Sequence, residues 1–292
     1  MDGRDEPGHD AESSVIPSQP HQPLTPTGLT AIVPVLVAAA SFGFADVATK
    51  VTLHAEADVL TMALFRGLVG VPLLLVFVFA GGTPKPLTTP ARRLSLFIGV
   101  LFAGNVFFLF KAIEAMEVPL AILTYFTYPL LTGLAAAAFA GLALMIGAHP
   151  GGVALVGIAC ALISSCSRVV ILLLTRAKLQ GSDARLISLW SLIAATAVFM
   201  AAALATLNWQ PPVTRVGWFA LIGSSVAMAI AVLMIFISTA RIGPFRTALF
   251  MNLEPLLATI GSGIVLGEVI TPLQALGGAV MIAALVAFQM RK

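Results

Sequence analysis

Asp46, Arg66, Arg168 and Glu254 are ionisable residues set inside long apolar stretches of this 292-residue chain. A charged side chain in the middle of a bilayer costs about 2.5–3.5 kcal/mol on insertion scales, and those that persist face a cavity or a partner. Asp46 admits two readings. As a desolvated carboxyl group at mid-membrane depth it could take up and release a proton; alternatively it pairs with Lys50, one helical turn along. Arg66 either attracts an anionic ligand or, eight residues into its span, snorkels outward or pairs with a carboxylate. Glu254 directly precedes Pro255, whose ring removes a backbone donor and frees the Met251 carbonyl, so a kink with a polar wall is expected there. Tyr128 precedes Pro129 in the same way, with Tyr125 one turn earlier. Two kinked helices then either flank one site or simply bend. Asn105, Trp190 and Asn252 add hydrogen-bonding groups or an aromatic face. The candidate cavity residues are therefore Asp46, Arg66, Asn105, Tyr125, Tyr128, Trp190, Asn252 and Glu254, with Pro129 and Pro255 as kinks.

Other chemistries lack their residues. The chain has no Gly-rich phosphate loop ending in Lys-Ser/Thr, no His-Glu-x-x-His and no Gly-x-Ser-x-Gly, so ATP-driven pumping and hydrolytic enzyme activity lose support. His9, His21, His54 and His149 fall in the tail or in loops, which supplies no buried metal cluster. No metal and no cofactor are expected. Cys160 and Cys166 are six residues apart in one apolar run, on different helix faces and too far apart for a disulfide. Gly261, Gly263 and Gly267 read as a small-residue packing stripe, Glu268 as a helix-end or turn residue, and Trp209 and Trp218 as interface anchors.

The elements that must position these residues follow from composition. Hydrophobic residues fill 59% of positions and charged ones 10%, with mean hydropathy +1.02, against about 25% charged in soluble domains. Only a bilayer accommodates that much apolar surface, and helices are the spanning unit. Apolar runs lie near 29–50, 58–80, 92–113, 119–147, 152–176, 185–207, 214–238, 244–266 and 271–290. Gly81-Gly82-Thr83-Pro84, His149-Pro150-Gly151-Gly152, Gln210-Pro211-Pro212 and Ile242-Gly243-Pro244 punctuate the gaps with turn chemistry that halts a helix. Residues 1–28, rich in Pro, Asp and Glu, read as a disordered tail and not as a signal peptide.

Net charge is +3, but the basic residues are scattered through short gaps, which argues against a nucleic-acid partner and for topology signals. Lys85, Arg92 and Arg93, then Arg176, Lys178 and Arg185, then Arg241 and Arg246, and finally Arg291 and Lys292 mark the cytoplasmic gaps. Gaps holding Glu56 and Asp58, Glu114 and Glu117, or Arg215 alone face out. Both termini are then cytoplasmic, provided that 119–147 crosses an even number of times. About 29 residues at 1.5 Å each give roughly 43 Å, enough for one tilted span and too little for two.

Tyr128-Pro129-Leu130-Leu131-Thr132 parallels Glu254-Pro255-Leu256-Leu257-Ala258, which points to a duplicated chain whose halves insert in opposite orientations. The motifs Phe42-Gly43 with Lys50, Arg66-Gly67, and above all Gly243-Pro244-Phe245-Arg246-Thr247-Ala248, Leu253-Glu254-Pro255, Leu266-Gly267-Glu268, Thr271-Pro272-Leu273-Gln274 and Gly277-Gly278 resemble the EamA family of the drug/metabolite transporter superfamily. The resemblance spans about residues 30–290. It implies an all-α membrane protein, a polytopic bundle of two inverted repeats with ten helices in the family pattern, against nine apolar runs here. The first repeat would occupy 29–148 and the second 149–292. It also implies a secondary transporter that exports small metabolites or drugs by alternating access. The implied partners are a small-molecule substrate and the lipid bilayer, with a homo-oligomer left open, and the implied location is the cell membrane, of the bacterial inner-membrane type.

The first half departs from the pattern. From Pro129 to Gly141 it spans 12 residues where Pro255 to Ala284 spans 29, a shortfall of 17 and about one span. That shortfall leaves a second reading open, a non-transporting scaffold or partner protein.

Overall fold

A computed structural model describes residues 29–80, 82–128, 155–179 and 181–268, with scattered helical positions between 272 and 287. The tail to residue 28, Pro129 and most of the 119–147 run lie outside the described residues. Among the described residues eight continuous helices follow one another: α1 (Leu29–His54), α2 (Val59–Ala80), α3 (Thr89–Ala115), α4 (Val118–Tyr125), α5 (Leu155–Lys178), α6 (Ala184–Thr206), α7 (Arg215–Met251) and α8 (Leu253–Leu266). Six of them contain stretches long and apolar enough to cross a membrane, and α8 is a shorter apolar helix. Large apolar side chains cover the outside: Phe79, Leu155, Phe219 and Ile264 are each more than 70% exposed, a surface that only lipid or another apolar partner satisfies. The chain is an all-α membrane protein.

Local chemistry sets the helix ends. Thr88 caps α3, its hydroxyl accepting from the Ala91 N–H, and a proline follows in the first turn, where a missing donor costs nothing. Asp183 caps α6 by accepting from the Arg185 N–H at 3.0 Å. Gly267 ends α8 with φ of 69°, the left-handed conformation that glycine adopts without strain.

One expected break takes a different form. One helix runs from Arg215 to Met251 through Gly243-Pro244, although Pro244 has no N–H to donate. Yet the Ser238 and Thr247 hydroxyls meet at 2.8 Å, although nine residues of straight helix would separate them by about 13 Å along the axis. The chain therefore bends sharply between them, so the turn chemistry acts as a bend inside α7, and the actual interruption falls at Asn252, just before Pro255.

Packing follows a closed order. α1 packs on α7, α7 on α2, α2 on α6, α6 on α3, α3 on α5, α5 on α4, α4 on α8, and α8 on α1. Every one of these adjacencies joins a helix before residue 148 to a helix after 149. Close approach needs small residues at two crossings: a Cβ at Gly99 would collide with the Ser191 carbonyl of α6, and one at Gly43 would lie 3.0 Å from the Ala258 nitrogen of α8.

The loops sort into two ends. At one, the Asp58 N–H donates to the Gln210 carbonyl at 3.1 Å and the Val213 N–H to the Ala55 carbonyl at 3.0 Å, while the Val118 N–H donates to Glu268 Oε2 at 3.1 Å. Glu56, Asp58, Glu114, Glu117 and Glu268 make this the acidic end. At the other, Asp183 lies against the Lys85 backbone, and Lys85, Arg92, Arg93, Lys178, Arg185 and Arg241 make it basic. This grouping is the one that the loop charges predict. Gly157 of α5 sits beside Ala115 and Met116 at the end of α3, so the chain leaves the acidic end at Val118 and is back at the acidic end by residue 157.

Candidate functional site

Six helices carry one polar cluster. Asp46, Arg66, Asn105, Tyr125, Arg168 and Glu254 lie between seven and thirteen residues from the helix ends at the acidic end. At 1.5 Å per residue that is about 10–20 Å deep, the middle of a hydrocarbon layer about 30 Å thick. Asp46, Arg66, Asn105 and Glu254 are all less than 10% exposed.

Two carboxylates lie side by side in the bundle, each flanked by an arginine. Arg66 of α2 interacts electrostatically with Asp46 of α1, Asp46 with Glu254 of α8, and Glu254 with Arg168 of α5. Arg168 in turn interacts with Tyr125 of α4 and with Tyr128 just beyond it, its guanidinium 5.8 Å from the Tyr128 ring centroid. The two tyrosine rings sit 5.5 Å apart. Asp46 Oδ2, Arg66 Nε and Arg168 Nε are buried without a hydrogen-bond partner, a costly state for charged groups and one that a bound ligand or proton would relieve.

Two of the expected alternatives to a ligand-facing role are not realised, while the third, an Arg66 interaction with a carboxylate, is made with Asp46. Lys50 does not pair with Asp46: its ammonium donates to the carbonyls of Ile113 at 2.5 Å, Met116 at 2.9 Å and Glu114 at 3.2 Å. The carbonyls at the C-terminus of α3 need donors and carry negative partial charge, so they draw the lysine away. Arg66 does not snorkel. It donates through Nη2 to the Ala45 carbonyl at 3.0 Å and to Thr49 Oγ1 at 2.6 Å, and stacks 4.6 Å from the Phe110 ring centroid, a favourable cation–π arrangement.

The remaining candidates divide. Asn105 is committed to joining α3 and α5, its amide donating to the Ser164 carbonyl at 2.7 Å and to Ser164 Oγ at 2.9 Å, while Ser164 returns a bond to the Asn105 carbonyl. Thr127 and Ser165 add a hydroxyl pair at 3.0 Å. Asn252 is buried at the α7–α8 junction, two residues before Glu254, and Pro255 is buried beside it. Trp190 stands apart: it lies under the Arg92 guanidinium at 5.7 Å, near the basic end, because its place in the first turns of α6 puts it well above the cluster. Arg168 was legible as a charge inside a span, but only the packing of α5 against α4 brings it to the two tyrosines.

The model of the EamA-like transporter family matches the chain twice, over residues 29–165 and 155–289. The chain belongs to that family. As a member of the EamA-like family it falls within the drug/metabolite transporter superfamily, and the two matches overlap on the first turns of α5. A solved structure described as "Crystal structure of protein" is similar at 21% identity, with a TM-score of 0.62, over 89% of this EamA-like chain and 95% of its own; the two share a fold. No curated protein matches the chain.

Proposed function

We propose that this EamA-like protein is a secondary transporter that exports a small metabolite or drug across the cell membrane, with the mid-depth cluster as its site. The Arg66–Asp46–Glu254–Arg168 array, a carboxylate pair flanked by two arginines, supports the reading best. It is buried at the depth where inverted-repeat transporters bind substrate, it draws on both halves, and it leaves charged atoms unpartnered. Asp46 and Glu254 are the groups that would exchange a proton for substrate, and Arg66, Arg168 and the tyrosines would hold the ligand. By the excess of Lys and Arg, the basic end is cytoplasmic and both termini are inside, which makes the acidic end the exit.

Whole-cell metabolomics on deletion and overexpression strains tests this. The deletion should accumulate one metabolite class, and wild type should clear it while Glu254→Ala does not. Clearance by the variant removes Glu254 from the site, and unchanged profiles in both strains remove the transport reading. The shortfall of 17 residues between the repeats favours the second reading, a non-transporting scaffold, and unchanged profiles are its expected result.

A further inference from the structure

Beside the cluster lies a chamber of about 210 Å³, walled by α2, α3, α6 and α7. At about 30 Å³ per water that is room on the order of seven waters, or a ring with a short tether. Its walls are apolar, with Phe77, Phe102, Leu192 and Val226 prominent, and Arg66 supplies the one charge among the residues that line it. The two hydroxyls on its walls are already used, Thr196 donating to the Leu192 carbonyl at 2.8 Å and Ser225 to the Leu221 carbonyl at 2.7 Å. What remains unspent is Arg66 Nε, buried without a partner in a side chain only 8% exposed. Leu73 of α2 and Ile230 of α7 belong also to the exposed apolar surface, so the chamber reaches the lipid-facing side of the bundle.

From this geometry we infer that the chamber is a binding site for amphiphilic monoanionic acids, with the apolar tail in the chamber and the carboxylate on Arg66. A guanidinium is suited to a carboxylate. A cation would meet it unfavourably, a neutral molecule would bring no charge to it, and a dianion would need a second positive charge that the walls lack. A pocket that is mostly apolar with one placed polar group is the ordinary form of a small-molecule site. As a statement about substrate, the inference rests on the transporter reading; as a statement about binding, it stands separately.

The test is calorimetric titration of the full chain in lipid nanodiscs with 4-phenylbutyrate, 4-phenylbutyramide and 4-phenylbutylamine, against empty nanodiscs to remove partitioning into lipid. The carboxylate should bind at least tenfold more tightly than the amide, and the amine least. Ala229→Leu, which fills the chamber and leaves Arg66 intact, should weaken phenylbutyrate at least tenfold, and Arg66→Gln should bring the carboxylate down to the level of the amide. If Arg66→Gln does not yield monodisperse protein, Ala229→Leu decides. No preference for the carboxylate in the wild type, or unchanged binding in Ala229→Leu, overturns the inference. Metabolite export without phenylbutyrate binding would sink this site and leave the transporter reading standing; binding without any export would do the reverse.

Discussion

Lys50 spends its three donors on the last carbonyls of α3, a position that water or a glycine cap serves in most helices. Lys50→Met keeps much of the length of the side chain and removes the donors, leaving buried carbonyls unpaired. Thermal unfolding in detergent should show a loss of roughly 1–3 kcal/mol, and an unchanged midpoint would mean that water replaces the ammonium. The sequence offers Asp46 as the partner of Lys50 because i,i+4 spacing is the only proximity it encodes. The real acceptors lie 63–66 residues away and become visible only when α1 and α3 are laid side by side. Asp46, Arg66 and Glu254, by contrast, are legible as members of the buried polar cluster because a charge inside an apolar run announces itself. Arg168 announces itself equally, but its role depends on a neighbour, Tyr128, whose position no periodicity supplies.

Helix ends are set locally: Thr88 and Asp183 cap their helices through bonds to N–H groups two or three residues on, and Gly267, which the sequence offers as part of a packing stripe, instead ends α8 in the left-handed conformation. Gly243-Pro244 was read as a gap and is a bend, because the hydrogen bonds on either side of the proline can continue while the axis turns. Asp183 yields a pH prediction. The Arg185 guanidinium, which binds it at 2.8 Å, holds its carboxyl below the ordinary value of about 3.9. A depressed carboxyl contributes stability that is present above the unfolded value and is lost as pH falls through the folded one, so its contribution should be full at neutral pH and fade below about pH 4. Asp183→Ala should cost about 0.5–2 kcal/mol at neutral pH and lose that part of the acid dependence. Unfolding midpoints across pH 3–7 check both, and parallel curves for variant and wild type would contradict the assignment.

Across the whole molecule, the repeat was legible from paired Tyr128-Pro129 and Glu254-Pro255, but the interleaving of the halves was not. Helices from before 148 and after 149 alternate around the bundle, so the cluster sits between the two halves. Such alternation arises from tertiary packing and leaves no trace in hydropathy. Loop charge did foretell the two ends. In a Cys160→Ala/Cys166→Ala background, Glu117→Cys, Leu155→Cys and Asn208→Cys should react with an impermeant maleimide from outside intact cells, and Thr83→Cys and Lys178→Cys only after permeabilisation. Opposite labelling of Glu117→Cys and Leu155→Cys would contradict the return of the chain to the acidic end.

The central claim is that the charge array at mid-depth moves a substrate. Proteoliposome counterflow of the metabolite class found in deletion strains, run with wild type and with Glu254→Gln, tests it most directly. The account predicts exchange by wild type well above empty liposomes and a loss of at least tenfold in Glu254→Gln at equal reconstitution. Wild-type exchange no faster than in empty liposomes, or equal exchange by the two proteins, would contradict it.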